Sequence, residues 1–85
     1  MAKVVTVVSK KGCHLCERVI ETLRSLSLRY DLEVRVLDIS RDAQLANKYF
    51  LTIPVVQVDG RDVFDGREMT ADSSYVARLE HAISG

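Results

Sequence analysis

The feature that most constrains this chain is a run of β-branched residues that ends at a glycine and is followed at once by two cysteines three positions apart. Val4-Val5-Thr6-Val7-Val8, with Lys3 ahead of it, is bounded by Ser9-Lys10-Lys11-Gly12. So short an apolar run reads as a strand over 3–8 buried on both faces, and not as a helix. From His14 to about Tyr30 the apolar residues Leu15, Val19, Ile20, Leu23, Leu26 and Tyr30 recur at spacings of three and four, opposite Glu17, Arg18, Glu21 and Arg24. That is the period of an amphipathic helix, and its first turn holds Cys13 and Cys16.

The rest of the chain continues the alternation of strand and helix. Leu32, Val34 and Val36 alternate with Glu33 and Arg35, and Leu37 and Ile39 complete an apolar end, which predicts a second strand over 32–39. Asp38 to Asp42 offers helix-start residues, and 43–50 reads as a short helix with Leu45, Ala46, Tyr49 and Phe50 inward. Ile53-Pro54 ends that helix. Residues 55–58 and 61–64 flank Asp59-Gly60, the pair that supplies positive φ for a two-residue hairpin turn. Residues 70–83 close the chain as a helix with Val76, Leu79 and Ile83 inward. The order β-α-β-α-β-β-α predicts an α/β domain: a four-stranded mixed sheet flanked by helices, its first two strands parallel and its last two antiparallel.

Eighty-five residues suffice for one domain over 1–85 and not for two cores. The 47% apolar composition supplies the core that so short a chain needs. Twelve basic and twelve acidic residues cancel, so no net field draws the protein to nucleic acid or to an anionic membrane. The apolar N-terminal run is too short for a signal-peptide core, and nothing approaches the ~20 apolar residues of a membrane span. A soluble cytoplasmic protein is the resulting expectation, and it is expected to be a monomer.

Two cysteines three apart are not the cysteine economy of a secreted scaffold. A bridge between them closes a four-residue loop, worth only about 2 kcal/mol by loop entropy, so a purely stapling role gives little. Cys13, at the helix start, faces unpaired N–H groups and the positive end of the helix dipole, both of which favour thiolate. Cys16 lies deeper in the helix. Cys13 is therefore the expected attacker and Cys16 the resolver. A Brønsted slope of roughly 0.4–0.5 returns much of what ionisation gains, so the larger effects are an easier leaving group and a more oxidising couple. The competing readings are a metal-binding or metal-delivery module using the same thiols and a non-catalytic interaction domain. Structural zinc wants four ligands, and His14 and His81 do not form a second pair. His14 is a candidate stabiliser of the thiolate, and Lys10 and Lys11 are candidate cations for a substrate carboxylate.

Gly12-Cys13-His14-Leu15-Cys16, the Thr52-Ile53-Pro54 before the third strand and the Asp59-Gly60 hairpin together resemble the glutaredoxin-like branch of the thioredoxin superfamily, across essentially the whole chain. The resemblance implies a thioredoxin-like fold, a cis Pro54 against the redox site, and an Ile53 backbone offered to an extended thiol substrate. The candidate substrate-binding residues are then Lys11 and His14, from their charge beside Cys13, and Thr52, Ile53, Pro54 and Gly66, from the resemblance. It implies reduction of protein disulfides or glutathione mixed disulfides with no bound cofactor, the electrons coming from glutathione or from a thioredoxin-reductase-type flavoenzyme. The chain departs from the family in two places. His14-Leu15 stands where glutathione-using members commonly have Pro-Tyr, and Phe64-Asp65-Gly66-Arg67 stands where they have Gly-Gly-x-Asp, with only Gly66 matching well.

Overall fold

The computed structural model describes residues 2–69 and 72–84. The strands are β1 (Lys3–Ser9), β2 (Leu32–Asp38), β3 (Val55–Val58) and β4 (Arg61–Phe64), and the helices are α1 (His14–Leu26), α2 (Ala43–Tyr49) and α3 (Tyr75–Ser84). The sheet runs β2-β1-β3-β4, so the valine-rich β1 is central and fully paired. β1 and β2 are parallel, in register from Lys3 opposite Leu32 to Ser9 opposite Asp38. β3 lies antiparallel to β1, with Val8 opposite Val55. β3 and β4 form the antiparallel hairpin that Asp59-Gly60 predicts, and both turn residues have positive φ, +50° and +88°. This is the α/β architecture expected from the sequence, with three helices flanking a mixed sheet.

A core lies on each face of the sheet. On one side Val5, Val7, Val56, Val58 and Phe64 pack with Val19, Leu23 and Leu26 of α1 and with Tyr75, Leu79 and Ile83 of α3. On the other, Val8 and Val55 meet Ile39 and Tyr49, with Leu45, Ala46 and Ile53 alongside. Fully burying a Leu, Val or Ile contributes about 1.5–3 kcal/mol each. Phe64 falls in the core, and Tyr75 joins it at the head of α3.

Several boundaries differ from the sequence reading. α1 stops at Leu26 and not near Tyr30: the Ser27 N–H returns to Leu23 O, and the Ser27 hydroxyl donates to the Arg24 carbonyl. Serine side chains compete in this way with helix continuation. Leu15, counted with the apolar stripe, is exposed. β2 ends at Asp38, whose carboxylate accepts from Ser40 N at 2.8 Å and turns Ile39–Arg41 into a single 3-10 turn. α2 is capped by Asp42 and ends at Tyr49, which leaves Phe50 at the C-cap 59% exposed and not in the core. α3 begins at Tyr75, after a turn in which Asp72 accepts from Ser74 N. The expected helical start at residues 70 and 71 lies outside the described residues.

Candidate functional site

Sheet topology brings four distant segments to one rim. β1 and β2 end together at Ser9 and Asp38, β3 starts beside the end of β1, and Val56 opposite Phe64 puts the end of β4 beside the start of β3. Residues 10–16, 38–41, 52–54 and 65–68 therefore emerge on the same side of the molecule. Every candidate site residue lies within these segments.

The turn from β1 into α1 is closed by Cys13 N donating to Lys10 O at 3.2 Å. Gly12 has φ +84° with nothing within 4 Å of where a Cβ would sit, so the backbone sign, and not space, requires glycine there. Cys13 is the N-cap of α1 in an extended conformation, and its carbonyl accepts the first helical bond from Glu17 N. Its Sγ accepts from Cys16 N at 3.2 Å, so an otherwise orphaned helical N–H is aimed at sulfur. The two sulfurs are within bridging reach, with Cα atoms 5.2 Å apart, inside the usual span for a disulfide. Cys13 is half-buried, whereas Cys16 is only 1% exposed. The asymmetry expected between an outer and an inner thiol is present.

His14 is almost wholly solvated, its Nδ1 3.9 Å from Glu17 Oε2. Lys10 and Lys11 are exposed and line a groove of about 290 Å³ that runs past Cys16 and Ile20 to Val36 and Asp38. Asp38 is held below the usual carboxylate range, first by the Ser40 hydroxyl and N–H, with Arg41 and Lys11 adding to the effect. Sequence reasoning did not assign Asp38, Ile20 or Val36 to the site. The parallel register Ser9–Asp38 is what puts them there, and strand pairing is not a local property of sequence. A larger concavity between Val63 of β4 and Arg78 and His81 of α3 contains none of the candidate residues.

The Ile53–Pro54 peptide is cis, as the resemblance implies, and Pro54 is buried. The N–H groups of Thr52 and Ile53 both return to Tyr49 O, at 2.9 and 3.1 Å, so the chain reverses tightly out of α2. Gly66 N donates to Thr52 O at 2.8 Å. A Cβ on Gly66 would collide with the Ile53 carbonyl and come within 3.0 Å of Thr52 O, so this glycine permits a close backbone approach. The segment after β4 is tied together by its own hydrogen bonds. Asp65 accepts from Arg67 N, Glu68 accepts from Asp65 N, and the Arg67 guanidinium pairs with Asp65 and lowers its carboxyl pKa. Among the described residues no three His, Cys, Asp or Glu side chains converge as a metal site, and no helix is long and apolar enough to cross a membrane.

A four-stranded mixed sheet between helices, with a Cys-x-x-Cys pair at the start of the first helix and a cis-proline at the same rim, defines a thioredoxin-like protein. The chain belongs to the glutaredoxin-like domain family (DUF836), whose sequence model matches residues 4–84. It is similar to a Nitrosomonas europaea protein solved by NMR, with 25% identity and a TM-score of 0.71 over 93% of this chain and 91% of the other. It is similar also to an X. campestris protein solved by X-ray diffraction, with 26% identity and a TM-score of 0.72 over 94% and 95%. Thioredoxin 1 from Thermosipho africanus, at 12% identity, shares the fold with a TM-score of 0.59 over 95% of this chain and 94% of its own. No curated protein matches the chain.

Proposed function

We propose that this protein is a cytosolic dithiol–disulfide oxidoreductase that reduces disulfides of proteins or small molecules. The observation that carries the reading is the unequal sulfur pair: an outer Cys13 at a helix mouth, with a backbone N–H on its sulfur, and a buried Cys16 within bridging reach. A donor already in place stabilises negative charge on Cys13 without reorganisation.

In the cycle the Cys13 thiolate attacks one sulfur of the substrate disulfide. A mixed disulfide forms, and the other substrate sulfur leaves as thiolate and takes a proton. Cys16 then loses its proton and attacks Cys13 Sγ. The Cys13–Cys16 bond forms, the mixed disulfide breaks, and the second substrate thiol departs. Two electrons have passed from the dithiol to the substrate, and two glutathione thiols or a thioredoxin-reductase-type flavoenzyme return them. The chain needs no bound cofactor for this chemistry.

Substrate would approach along the rim. The Thr52-Ile53 backbone before Pro54 offers polar groups to an extended chain, Gly66 holds that segment in place, and Lys11 and His14 flank the outer sulfur. Glutathione mixed disulfides and disulfide-containing proteins both suit such a surface. Cys16→Ser is expected to accumulate a mixed disulfide with substrate, seen as an added mass, while Cys13→Ser loses exchange altogether. Full turnover by Cys13→Ser in a disulfide-reduction assay would overturn the assignment. Comparing turnover with glutathione and with thioredoxin reductase identifies the donor.

A further inference from the structure

We infer that two copies of this chain pair edge to edge through β2, antiparallel about a two-fold axis at Val34, and so join their sheets into one. The two edges of the sheet differ. β4 has four residues and pairs with β3 through a register shift, features that blunt an edge. β2 has seven residues, no glycine or proline and an unbroken register with β1, and no described strand covers its outer side. It also exposes Val36 at 48% and Leu37 at 41%, on opposite faces of the sheet.

The direction of the unused backbone groups follows from the ladder. Lys3 N donates to Asp31 O, and with Lys3 opposite Leu32 the parallel pattern turns the N–H and C=O of Glu33, Arg35 and Leu37 toward β1. Those of Leu32, Val34 and Val36 point outward. A second β2 running antiparallel must therefore match these residues with one another. Centring the pair on Val34 sets Val34 against its own copy and Leu32 against Val36. The same register sets Glu33 of each copy opposite Arg35 of the other.

Charge selects this register over its neighbours. Centring on residue 33 would oppose two glutamates, and centring on residue 35 two arginines, both unfavourable across a strand pair. Within one copy Arg35 already pairs with the Glu33 carboxylate on the same face, so the two side chains stand where a cross-strand exchange of partners needs them. Lysine-rich edges repel their own copies, whereas the order Glu33-Val34-Arg35 is complementary to itself when reversed. Val36 also lines the groove beside Cys16, so the partner's Leu32 would sit against that groove. Under this proposal a dimer replaces the expected monomer.

Sedimentation velocity on the intact reduced protein, loaded from about 10 µM to about 1 mM, tests the pairing. The wild type is expected to shift from monomer to dimer across that range. Glu33→Arg and Arg35→Glu, each opposing like charges twice, are expected to weaken association about tenfold or more. The double reversal Glu33→Arg with Arg35→Glu restores both pairs and is expected to recover the wild-type constant, and an equimolar mixture of the two single variants is expected to form a heterodimer. All four positions of charge are exposed, and circular dichroism verifies that each variant is folded. A wild type that stays monomeric to about 1 mM, or a double reversal no tighter than the single variants, overturns the inference. A dimer indifferent to these changes uses another surface and overturns it equally.

Discussion

A methyl group added at Gly66 would run into the Ile53 carbonyl and press on Thr52 O, whereas one added at Gly12 would meet nothing. The two glycines should therefore fail differently. Gly66→Ala is expected to lose about 1–3 kcal/mol by overpacking and, because the segment before Pro54 must move, to slow disulfide exchange as well. Gly12→Ala has only the unfavourable positive φ to bear, about 1–2 kcal/mol. Urea denaturation and an exchange assay on both variants check this, and a Gly66→Ala protein with wild-type rate would refute the clamp. The contrast also shows what sequence can disclose. Gly12, Cys13 and Cys16 are legible because turn, cap and thiol spacing are all decided within a few residues. Gly66 was named only through family resemblance, since its reason for being glycine is a backbone segment brought near by β3–β4 pairing.

At the scale of elements, the short helix α2 shows where periodicity runs out. A stripe of Leu45, Ala46, Tyr49 and Phe50 fits the helical period, but α2 ends at Tyr49, and the reversal into Thr52 and Ile53 leaves Phe50 in solvent. Over two turns, pattern alone cannot say whether the last apolar residue is helix or cap. Tyr49 instead buries its ring against Val8, Ile39 and Val55, with its hydroxyl near Asp62 and Gln57. Tyr49→Ala is accordingly expected to cost about 3–5 kcal/mol, in the range for large aromatic truncations, and Phe50→Ser less than about 0.5 kcal/mol. Thermal denaturation of the pair decides it, and comparable losses would place Phe50 in the core after all. The longer α1 shows its buried face in the sequence, because Val19, Leu23 and Leu26 recur over two turns, but Leu15 of the same stripe lies in solvent and the helix stops at Leu26.

At the scale of the molecule, three carboxyls among the described residues sit below their ordinary range: Asp65 through Arg67, Asp38 through Ser40, and Glu80 through Arg29 and Tyr30. Each binds its proton less readily folded than unfolded. Their stabilisation is present above the ordinary carboxylate pKa of about 4 and disappears as pH falls through the lowered folded values. The Tyr30 phenol is shifted the other way, chiefly by its hydrogen bond to Glu80, so its contribution holds below about pH 10 and fades above. The melting temperature is expected to be flat from about pH 5 to 9 and to fall on both sides, and Glu80→Gln, which breaks the tie between Arg29, Tyr30 and α3, should flatten both limbs. An acid limb unchanged in that variant would count against the assignment.

The strand directions give the molecule a front and a back. The sulfurs and the segments around them occupy the front rim, while the Asp59–Gly60 bend sits at the back, tied to β1 through Val4. A protein anchored to a bead or a fusion partner through that bend would present its thiols outward, unobstructed by its own tether.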